Sequence, residues 1–313
     1  MSMPRRWKIL LAVIFYGLLV FFLARYLRGT DWSQLARLEF IPIYLLAAAA
    51  FSLTSRLLQP IAWRTLIEGY GDQPPSYAQI TRVYATGWMG RYIPGKVAGI
   101  GARVFLGREY DMRPSTLAAT SIAEVAIQLA TALVLAFVLF ALWGEALVLR
   151  DGLSLLAAIG LVVLCVLLAP PVFNRLMARA AALMKAPTSP DVGRLSLSTL
   201  LASAGLWIVI HALSGPSIYF VLKSMYPAVS PVLIPELTAA VLFAGTLATL
   251  AIFAPAGLGV REGILIVLFG LLIPRGVAVA AVVVLRLWSI AMDFLYYAIA
   301  VLLDRMQPVD RLG

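Results

Sequence analysis

Long apolar runs alternate with short polar segments along almost the whole chain. A helix needs about 20 predominantly apolar residues to cross a bilayer, whereas the strands of a membrane barrel are short and alternate apolar with polar residues. The pattern therefore predicts an all-α polytopic membrane protein. The full spans that we expect cover residues 9–24, 41–67, 115–142, 153–169, 197–222 and 276–303.

Two further apolar stretches are interrupted by proline and glycine. Residues 77–110 are broken at Pro94, and residues 237–272 are broken at Pro255. Irregular backbone is tolerated at membrane depth only where it is buried in protein or lines a cavity. We therefore expect each stretch to form an interrupted, re-entrant helix hairpin, a typical location for a transporter's substrate site. Another break is expected at Pro216, inside the span at residues 197–222.

The distribution of basic residues predicts the orientation of the chain. Arg5, Arg6 and Lys8 precede the first apolar run, which places the N-terminus in the cytoplasm. Residues 82–113 and 175–194 are also rich in cations. These segments share one side of the membrane only if each hairpin returns to the side that it enters. No small-residue cleavage pattern follows the first run, so we expect a retained span, and the C-terminus is expected in the cytoplasm as well.

The two halves of the chain have the same order of expected elements. Residues 41–142 contain a span, an interrupted hairpin and a second span, and residues 197–303 repeat that order in the opposite orientation. This pattern predicts an inverted repeat within a single membrane domain, residues 1–313. The halves are joined by residues 171–195, where apolar pairs alternate with cations such as Arg175. That linker is expected to be an amphipathic helix on the cytoplasmic surface.

Composition agrees with this reading and excludes a nucleic-acid-binding protein. Hydrophobic residues make up 62% of the chain and charged residues 13%, about half the charged share of a soluble domain. The mean hydropathy is +0.94. The formal net charge of +10 arises from cations scattered over loops and helix ends. Contact with anionic lipid headgroups explains such a distribution, so membrane lipids and no nucleic acid are expected as partners.

Several kinds of catalytic and metal chemistry lack the residues that they need. The chain has one cysteine, Cys165, and one histidine, His211, which excludes an intrachain disulfide, a thiolate metal cluster and a histidine-rich metal centre. Cys165 is expected to be a small buried hydrophobe and His211 a core histidine with satisfied hydrogen bonds. No nucleotide-binding loop is present. We therefore expect no cofactor, no metal and no enzymatic activity.

Charged residues near the breaks and within the spans are candidates for a binding site. On insertion scales each such charge costs about 2.5–3.5 kcal/mol at a helix centre, so each should have a partner or a wet cavity. Helix N-termini after the breaks would expose N–H groups to a phosphate, and nearby arginines would add charge-assisted bonds. Alternatively, the cations anchor the membrane interface and the carboxylates form structural ion pairs. The candidate substrate-binding residues are Arg91, Pro94, Gly95, Lys96, Gly99, Arg103, Glu124, Pro255, Gly257, Gly259, Arg261, Glu262, Arg286 and Asp293.

Sequence spacing predicts how some of these charges are arranged. Arg261 and Glu262 are adjacent, and neighbours on a helix point apart, so we expect them to pair elsewhere. Arg286 and Asp293 are seven residues apart, on one helix face but too far apart for a direct bond. We expect these two side chains to face one cavity.

The two breaks also carry the pattern of a known family. Its residues are Arg91-Tyr92-Ile93-Pro94-Gly95-Lys96 with Gly99 and Arg103, then Glu124, and later Pro255-Ala256-Gly257-Leu258-Gly259-Val260-Arg261-Glu262-Gly263. With them the chain resembles the flippase-like membrane domain of lysylphosphatidylglycerol synthases. The resemblance implies a protein that binds or translocates a lipid with a polar head, such as an aminoacylated phospholipid or a polyprenyl-phosphate-linked sugar. The sequence ends without the soluble aminoacyl-transfer domain, so a stand-alone member is expected.

The function that we expect is therefore a lipid transporter, or flippase, that binds a headgroup at the two breaks. The alternatives are a membrane-embedded lipid-modifying enzyme and a non-transporting partner of such an enzyme. Anionic or polyprenyl-phosphate lipids are the expected ligands, and a homo-oligomer or a lipid-synthesising partner is a further possibility. The expected location is the cytoplasmic (inner) membrane of a bacterium or archaeon, with many passes.

Overall fold

The part of the chain described by the computed structural model is helical, with no strand in that part. It comprises residues 38–92, 98–143, 150–184, 193–251 and 259–306, together with residues 28 and 33. The helices are α1 Ile43–Gly69, α2 Tyr77–Met89, α3 Ala98–Gly107, α4 Pro114–Trp143, α5 Arg150–Leu167, α6 Pro170–Met184, α7 Leu197–Met225, α8 Ile234–Leu250, α9 Val260–Leu272 and α10 Arg275–Arg305.

Five helical segments of this part are long and apolar enough to cross a membrane: α1, α4, α7, α10 and Pro231–Leu250, which includes α8. A sixth span would be supplied by α5 with α6, which are bent by 80° relative to each other. The expected all-α polytopic membrane protein is thus confirmed. The expected span at residues 9–24 lies outside the described residues. Pro231–Leu250, which we expected to be half of a hairpin, is by itself as long as a span.

Polar residues in the turns between helices define where some of the helices begin. The Ser76 hydroxyl accepts a hydrogen bond from the Gln79 backbone N–H (3.4 Å), and the Gln79 side chain accepts one from the Ser76 N–H (3.1 Å). This capping box starts α2 directly after the polar turn at residues 71–75. Ser196 caps α7 through the Thr199 N–H. The break expected at Pro216 was wrong, because α7 continues through this proline, as membrane helices allow.

Helices α1 and α7 pack side by side and antiparallel at the centre of the bundle. The hydroxyls of Ser52 and Ser217 are 2.6 Å apart, and the Ser203 hydroxyl donates to the Ala62 carbonyl. Positions later in α1 therefore meet positions earlier in α7. Small side chains along this contact let the two backbones approach closely, as is typical of membrane helices.

Each of these two helices is followed by the same series of elements. The helices of the first series, α1 to α4, have 27, 13, 10 and 30 residues, and those of the second, α7 to α10, have 29, 17, 13 and 31. We call α2 with α3 the first hairpin and α8 with α9 the second hairpin. Because α1 and α7 are antiparallel, the two hairpins follow helix ends that lie at opposite ends of the bundle.

The last helix of each series packs against the hairpin of the other series. Helix α10 contacts α2, and both contribute to a core cluster that includes Trp63, Tyr84 and Tyr296. Helix α4 contacts α8, where the rings of Phe140 and Phe243 meet edge to face with centroids 6.3 Å apart. The two series are therefore interlocked, and neither forms its core alone.

The far end of the first hairpin is tied to the C-terminal end of α10. The Tyr110 hydroxyl, just after α3, donates a hydrogen bond of 2.7 Å to Asp304. Burial and the adjacent carboxylate raise the pKa of Tyr110, so its hydroxyl stays protonated as a donor. The tip of this hairpin reaches Asp293, because Tyr92 binds that carboxylate. Asp293 and Asp304 lie about 16 Å apart along α10, so the hairpin penetrates about half of a 30 Å hydrocarbon core.

Helices α5 and α6 lie at the periphery. Phe173 of α6 is buried and Arg175 is exposed, but Leu176 and Leu183 are exposed as well, so the amphipathic character expected of this helix stays a prediction. Asn174 exchanges two hydrogen bonds of 3.0 Å with the backbone of Leu195, which holds α6 to the start of α7. The expected burial of Cys165 was wrong: the side chain is exposed, because α5 packs mainly on α4 and leaves its other faces uncovered. The cytoplasmic position of residues 171–195 stays a prediction.

Candidate functional site

The candidate site is organised around Asp293, which is completely buried in α10. One of its oxygens, Oδ1, accepts two hydrogen bonds from Arg56, at 3.1 Å from Nε and 2.8 Å from Nη2. The other, Oδ2, accepts a bond of 2.8 Å from the Tyr92 hydroxyl. Nη1 of Arg91 lies 3.6 Å from that same oxygen. One carboxylate thus faces two guanidinium groups.

Arg56 and Asp293 both lie about halfway along their helices. Arg56 stands thirteen residues from either end of α1, and Asp293 lies eighteen residues after the start of α10 and twelve before its end. Arg56 also donates to the backbone carbonyls of Ser52 (3.2 Å) and Ser289 (3.5 Å). Its N–H groups are therefore directed to acceptors of α1 and α10, as a charge buried in a membrane protein requires.

Arg91 is held differently from Arg56. Its side chain is 42% exposed, and its guanidinium lies over the Trp88 ring, 3.5 Å from the centroid. Arg91 belongs to a short 3-10 turn, Gly90–Tyr92, that ends α2 directly before the first break. Stacking on tryptophan fixes the plane of the guanidinium by a cation–π contact and keeps its N–H edge accessible.

A second ion pair lies next to the second break. Glu262 accepts a hydrogen bond of 2.9 Å from the backbone N–H of Gly259, which closes the first turn of α9. Its other oxygen is 3.3 Å from Nη1 of Arg286 in α10. Gly259 has a φ of +82°, a conformation that favours glycine over residues with a side chain. Glu262 thus pairs away from its neighbour Arg261, as the spacing predicted.

Arg261 connects the two groups electrostatically. Within the described residues, no carboxylate lies at ion-pairing distance from its guanidinium. Arg261 directly precedes Glu262 in α9, and the partner of Glu262, Arg286, lies seven residues from Asp293 on α10. Arg91 in turn shares the carboxylate of Asp293 with Arg56. We call this set the charge cluster; its members are Arg56, Arg91, Arg261, Glu262, Arg286 and Asp293.

Arg103 and Glu124 form a separate and closed ion pair between α3 and α4. Arg103 Nη1 donates to Glu124, whose other oxygen accepts a bond of 2.6 Å from the Tyr84 hydroxyl. The Arg103 guanidinium also lies over the rings of Trp63 and Tyr84, with centroid distances of 4.6 and 4.2 Å. Both charged side chains are buried. This geometry is that of a structural lock, and a contact of either residue with a substrate stays a prediction.

The comparison with known proteins identifies the family of this arrangement. The family model described as the lysylphosphatidylglycerol synthase TM region matches residues 9–296, nearly the whole chain, including both breaks and every member of the charge cluster. The chain belongs to this family. No curated protein matches it. Membership of the lysylphosphatidylglycerol synthase TM region family makes it a multi-pass membrane protein linked to lipid metabolism or transport.

The structure of this family member locates nine of the fourteen candidate residues. Arg91, Arg261, Glu262, Arg286 and Asp293 join the charge cluster, and Gly259 supports it. Arg103 and Glu124 pair with each other, and Gly99 packs on α2, where an added Cβ would lie 2.8 Å from the Gly87 carbonyl oxygen. Five candidate residues lie outside the described part of the chain: Pro94, Gly95, Lys96, Pro255 and Gly257.

Several site residues were not among the candidates. Arg56 is the most important, because it donates two hydrogen bonds to Asp293 and carries the opposite charge. It could have been found from the sequence, since a lone cation in the middle of an expected span needs a partner. Tyr92 and Trp88 flank Arg91 in the sequence, but nothing in their spacing indicates that one binds Asp293 and the other stacks on Arg91.

His211 occupies the position expected of a core histidine. It lies fourteen residues from either end of α7 and is buried against Trp207, with ring centroids 5.4 Å apart. Its Nε2 is 3.1 Å from the Gln128 carbonyl oxygen and 3.2 Å from the Thr131 hydroxyl. The Thr131 hydroxyl donates to Ile127, so Nε2 is assigned as the protonated nitrogen that donates to Gln128.

Proposed function

We propose that the protein is a lipid transporter that binds the polar head of a phospholipid or polyprenyl-phosphate-linked lipid at the charge cluster. The observation that carries this proposal is the contact of Arg56 and Asp293 halfway along α1 and α10, with Arg91 half-exposed beside them. An ionic head is prohibitively costly to move through hydrocarbon alone. The cluster offers it counter-charges at mid-depth, while the lipid tails remain in the bilayer.

The relation between the two series of helices supports a mechanism. In each series a charged residue of the hairpin forms an ion pair with the long helix that follows. In the first series Arg103 pairs with Glu124, so the hairpin carries the cation. In the second series Glu262 pairs with Arg286, so the hairpin carries the anion. Glu124 is the eleventh residue of α4 and Arg286 the twelfth of α10. We infer that the series are inverted repeats, and that transport alternates access to the cluster from the two sides.

The membrane orientation belongs to this proposal. With the N-terminus in the cytoplasm of a bacterium or archaeon, the first hairpin enters from the cytoplasmic side and the second from the opposite side. A lipid head taken from one leaflet would then meet the tip of one hairpin first, and would leave past the tip of the other.

Reconstitution in liposomes tests the proposal. Purified protein should accelerate the transbilayer movement of fluorescently labelled lipids, measured by the fraction of fluorophore that a membrane-impermeant reductant quenches. Arg56→Gln and Asp293→Asn should abolish this movement, because each leaves a partner unpaired in the cluster. Arg64→Gln is the matched control on α1, since Arg64 is partly exposed and, within the described part of the chain, its ion pair is with Glu68 one turn away.

Two results would count against a transporter. Folded protein that moves none of the phospholipids and polyprenyl-phosphate lipids offered would end the proposal. Recovery of a chemically altered lipid from the vesicles, identified by mass spectrometry, would instead favour a lipid-modifying enzyme.

A further inference from the structure

The charge cluster also indicates the charge of the head that it accepts. Building on the proposed transport function, we propose that its substrate is a lipid whose phosphate head carries two negative charges, either a phosphomonoester or a diphosphate ester. The inference rests on the count of charges in the cluster and on which of them are already paired.

The cluster contains four guanidinium groups and two carboxylates, which leaves an excess of two positive charges. Both carboxylates are occupied: Asp293 by Arg56 and Tyr92, and Glu262 by Arg286 and the Gly259 N–H. Arg56 and Arg286 are therefore compensated within the protein. The two excess charges belong to Arg91 and Arg261, one at each break.

Arg91 is only loosely engaged by the residues that the structure describes. Its distance of 3.6 Å from Asp293 exceeds that of a hydrogen bond, and the oxygen concerned already accepts from Tyr92. The Arg91 guanidinium lies 3.5 Å from the Trp88 ring centroid, and this cation–π contact gives its N–H groups no hydrogen-bond acceptor. An incoming phosphate can bind that edge in a bidentate manner without displacing Arg56 from Asp293.

Arg261 provides the second excess charge. It is the second residue of α9, so its positive charge adds to the positive end of the helix dipole. Arg91 and Arg261 carry the same charge, so neither can compensate the other. Two uncompensated cations at membrane depth are costly, and a ligand with two negative charges removes both costs at once.

Other lipid heads match this arrangement less well. A phosphodiester with one negative charge leaves one arginine uncompensated, and a zwitterionic or aminoacylated head leaves at least two. A phosphomonoester carries a charge of about −1.5 to −2 near pH 7 and has three terminal oxygens. A diphosphate ester carries at least as much charge on more oxygens, so either head can engage two guanidinium forks.

The test compares lipids with identical tails in proteoliposomes of the purified protein. The four heads are a phosphomonoester, a diphosphate ester, a glycerol phosphodiester and a zwitterionic phosphodiester. We expect the dianionic lipids to move at least about tenfold faster than either phosphodiester. The free energy of leaving one charge uncompensated at low dielectric is larger than the free energy that corresponds to a tenfold difference in rate. The faster of the two dianionic lipids shows whether the protein prefers a phosphomonoester or a diphosphate ester.

Arg91→Gln and Arg261→Gln each remove one excess charge. In each variant the advantage of dianionic lipids over the glycerol phosphodiester should fall at least about threefold, whereas the control Arg64→Gln should keep the full advantage. A measurement on the unaltered protein accompanies these variants: dianionic lipids should raise its thermal unfolding temperature in detergent more than the phosphodiesters do, because binding to the folded state stabilises it.

The outcomes separate this inference from the function on which it rests. Equal rates and equal thermal shifts for all four lipids would overturn the charge preference while leaving transport intact. Absence of movement for every lipid would overturn the transport proposal itself. Faster movement of the zwitterionic lipid would show that the excess charge does not face the substrate.

Discussion

At the scale of single residues, the site is a set of charged groups with unequal numbers of partners. Arg103 and Glu124 are buried and satisfied by each other, by Tyr84 and by aromatic faces. Arg91, by contrast, is half-exposed and shares its carboxylate with Arg56. Buried and fully paired charges stabilise a fold's specific arrangement, whereas partly paired, exposed ones are available to a ligand.

Breaking the closed pair should mainly affect stability. Arg103→Gln leaves Glu124 buried without its cation, and Glu124→Gln leaves Arg103 unpaired. Removing one partner of a buried pair costs about 3–5 kcal/mol, so we expect a clearly lower unfolding temperature for both variants. The double variant Arg103→Met with Glu124→Leu should recover much of the loss, because no uncompensated charge remains.

The unfolding temperatures of the single and double variants are measured by heating the protein in detergent and quantifying the remaining folded protein by size-exclusion chromatography. Arg64→Gln is the control, because it removes an exposed ion pair. Equal stability of the single variants and the unaltered protein would show that the pair does not lock α3 to α4. Transport by the stable double variant would then show whether the pair contributes to substrate binding as well, as the sequence predicts.

The sequence indicates which residues are charged at depth but not which of them meet. Arg261 and Glu262 could be separated from each other because adjacent helical positions point apart. The partner of Asp293 could not be found in this way. It lies on α1, and only the packing of α10 against the first series brings Arg56 and Tyr92 to the same carboxylate.

At the scale of helices, local sequence signals were sufficient for most elements. The expected spans at residues 115–142 and 276–303 differ from α4 and α10 by one or two residues at each end. Polar turns and apolar length define such boundaries directly. The exposure of Cys165 and the continuity of α7 through Pro216 were missed, since both depend on neighbouring helices and not on local sequence.

Two glycines of α3 provide a matched test of how the first hairpin is built. A Cβ at Gly99 would lie 2.8 Å from the backbone oxygen of Gly87 in α2, whereas a Cβ at Gly101 would meet no described residue within 4 Å. Gly99→Ala should push α3 away from α2 and destabilise the protein by about 1–3 kcal/mol. Gly101→Ala should be neutral or stabilise by about 0.5–1 kcal/mol, because alanine favours a helix.

The same thermal unfolding measurement distinguishes these two alanine variants. If Gly99→Ala proved as stable as Gly101→Ala, this result would contradict the close packing of α3 on α2 at Gly99. A lower transport rate for Gly99→Ala alone would link this approach to the position of Arg91 at the tip of the hairpin.

At the scale of the whole molecule, the antiparallel contact of α1 and α7 holds the two series together. Ser52 and Ser217 face each other there, with hydroxyl oxygens 2.6 Å apart. In a Cys165→Ser background, Ser52→Cys with Ser217→Cys should form a disulfide, since the two positions are close enough for its geometry. Mass spectrometry of the digested, unreduced protein detects the cross-linked peptides.

Thr54→Cys with Ala212→Cys is the control pair on the same two helices, because both of these positions are exposed. It should remain reduced under the same oxidant. Cross-linking of the control to the same extent, or a failure of the Ser52 and Ser217 pair, would contradict the packing of α1 on α7.

The interlocking of the two series has a consequence for how the protein is made. Arg56 and its partner Asp293 are separated by 237 residues. At about 5–20 residues per second, the ribosome delivers Asp293 roughly 10–50 s after Arg56. During this interval α1 has entered the membrane with an arginine at its centre and no carboxylate to receive it. During synthesis, lipid phosphates or the insertion machinery must therefore compensate the charge of Arg56 until α10 is made. A chain truncated before α10 would keep Arg56 without its carboxylate partner.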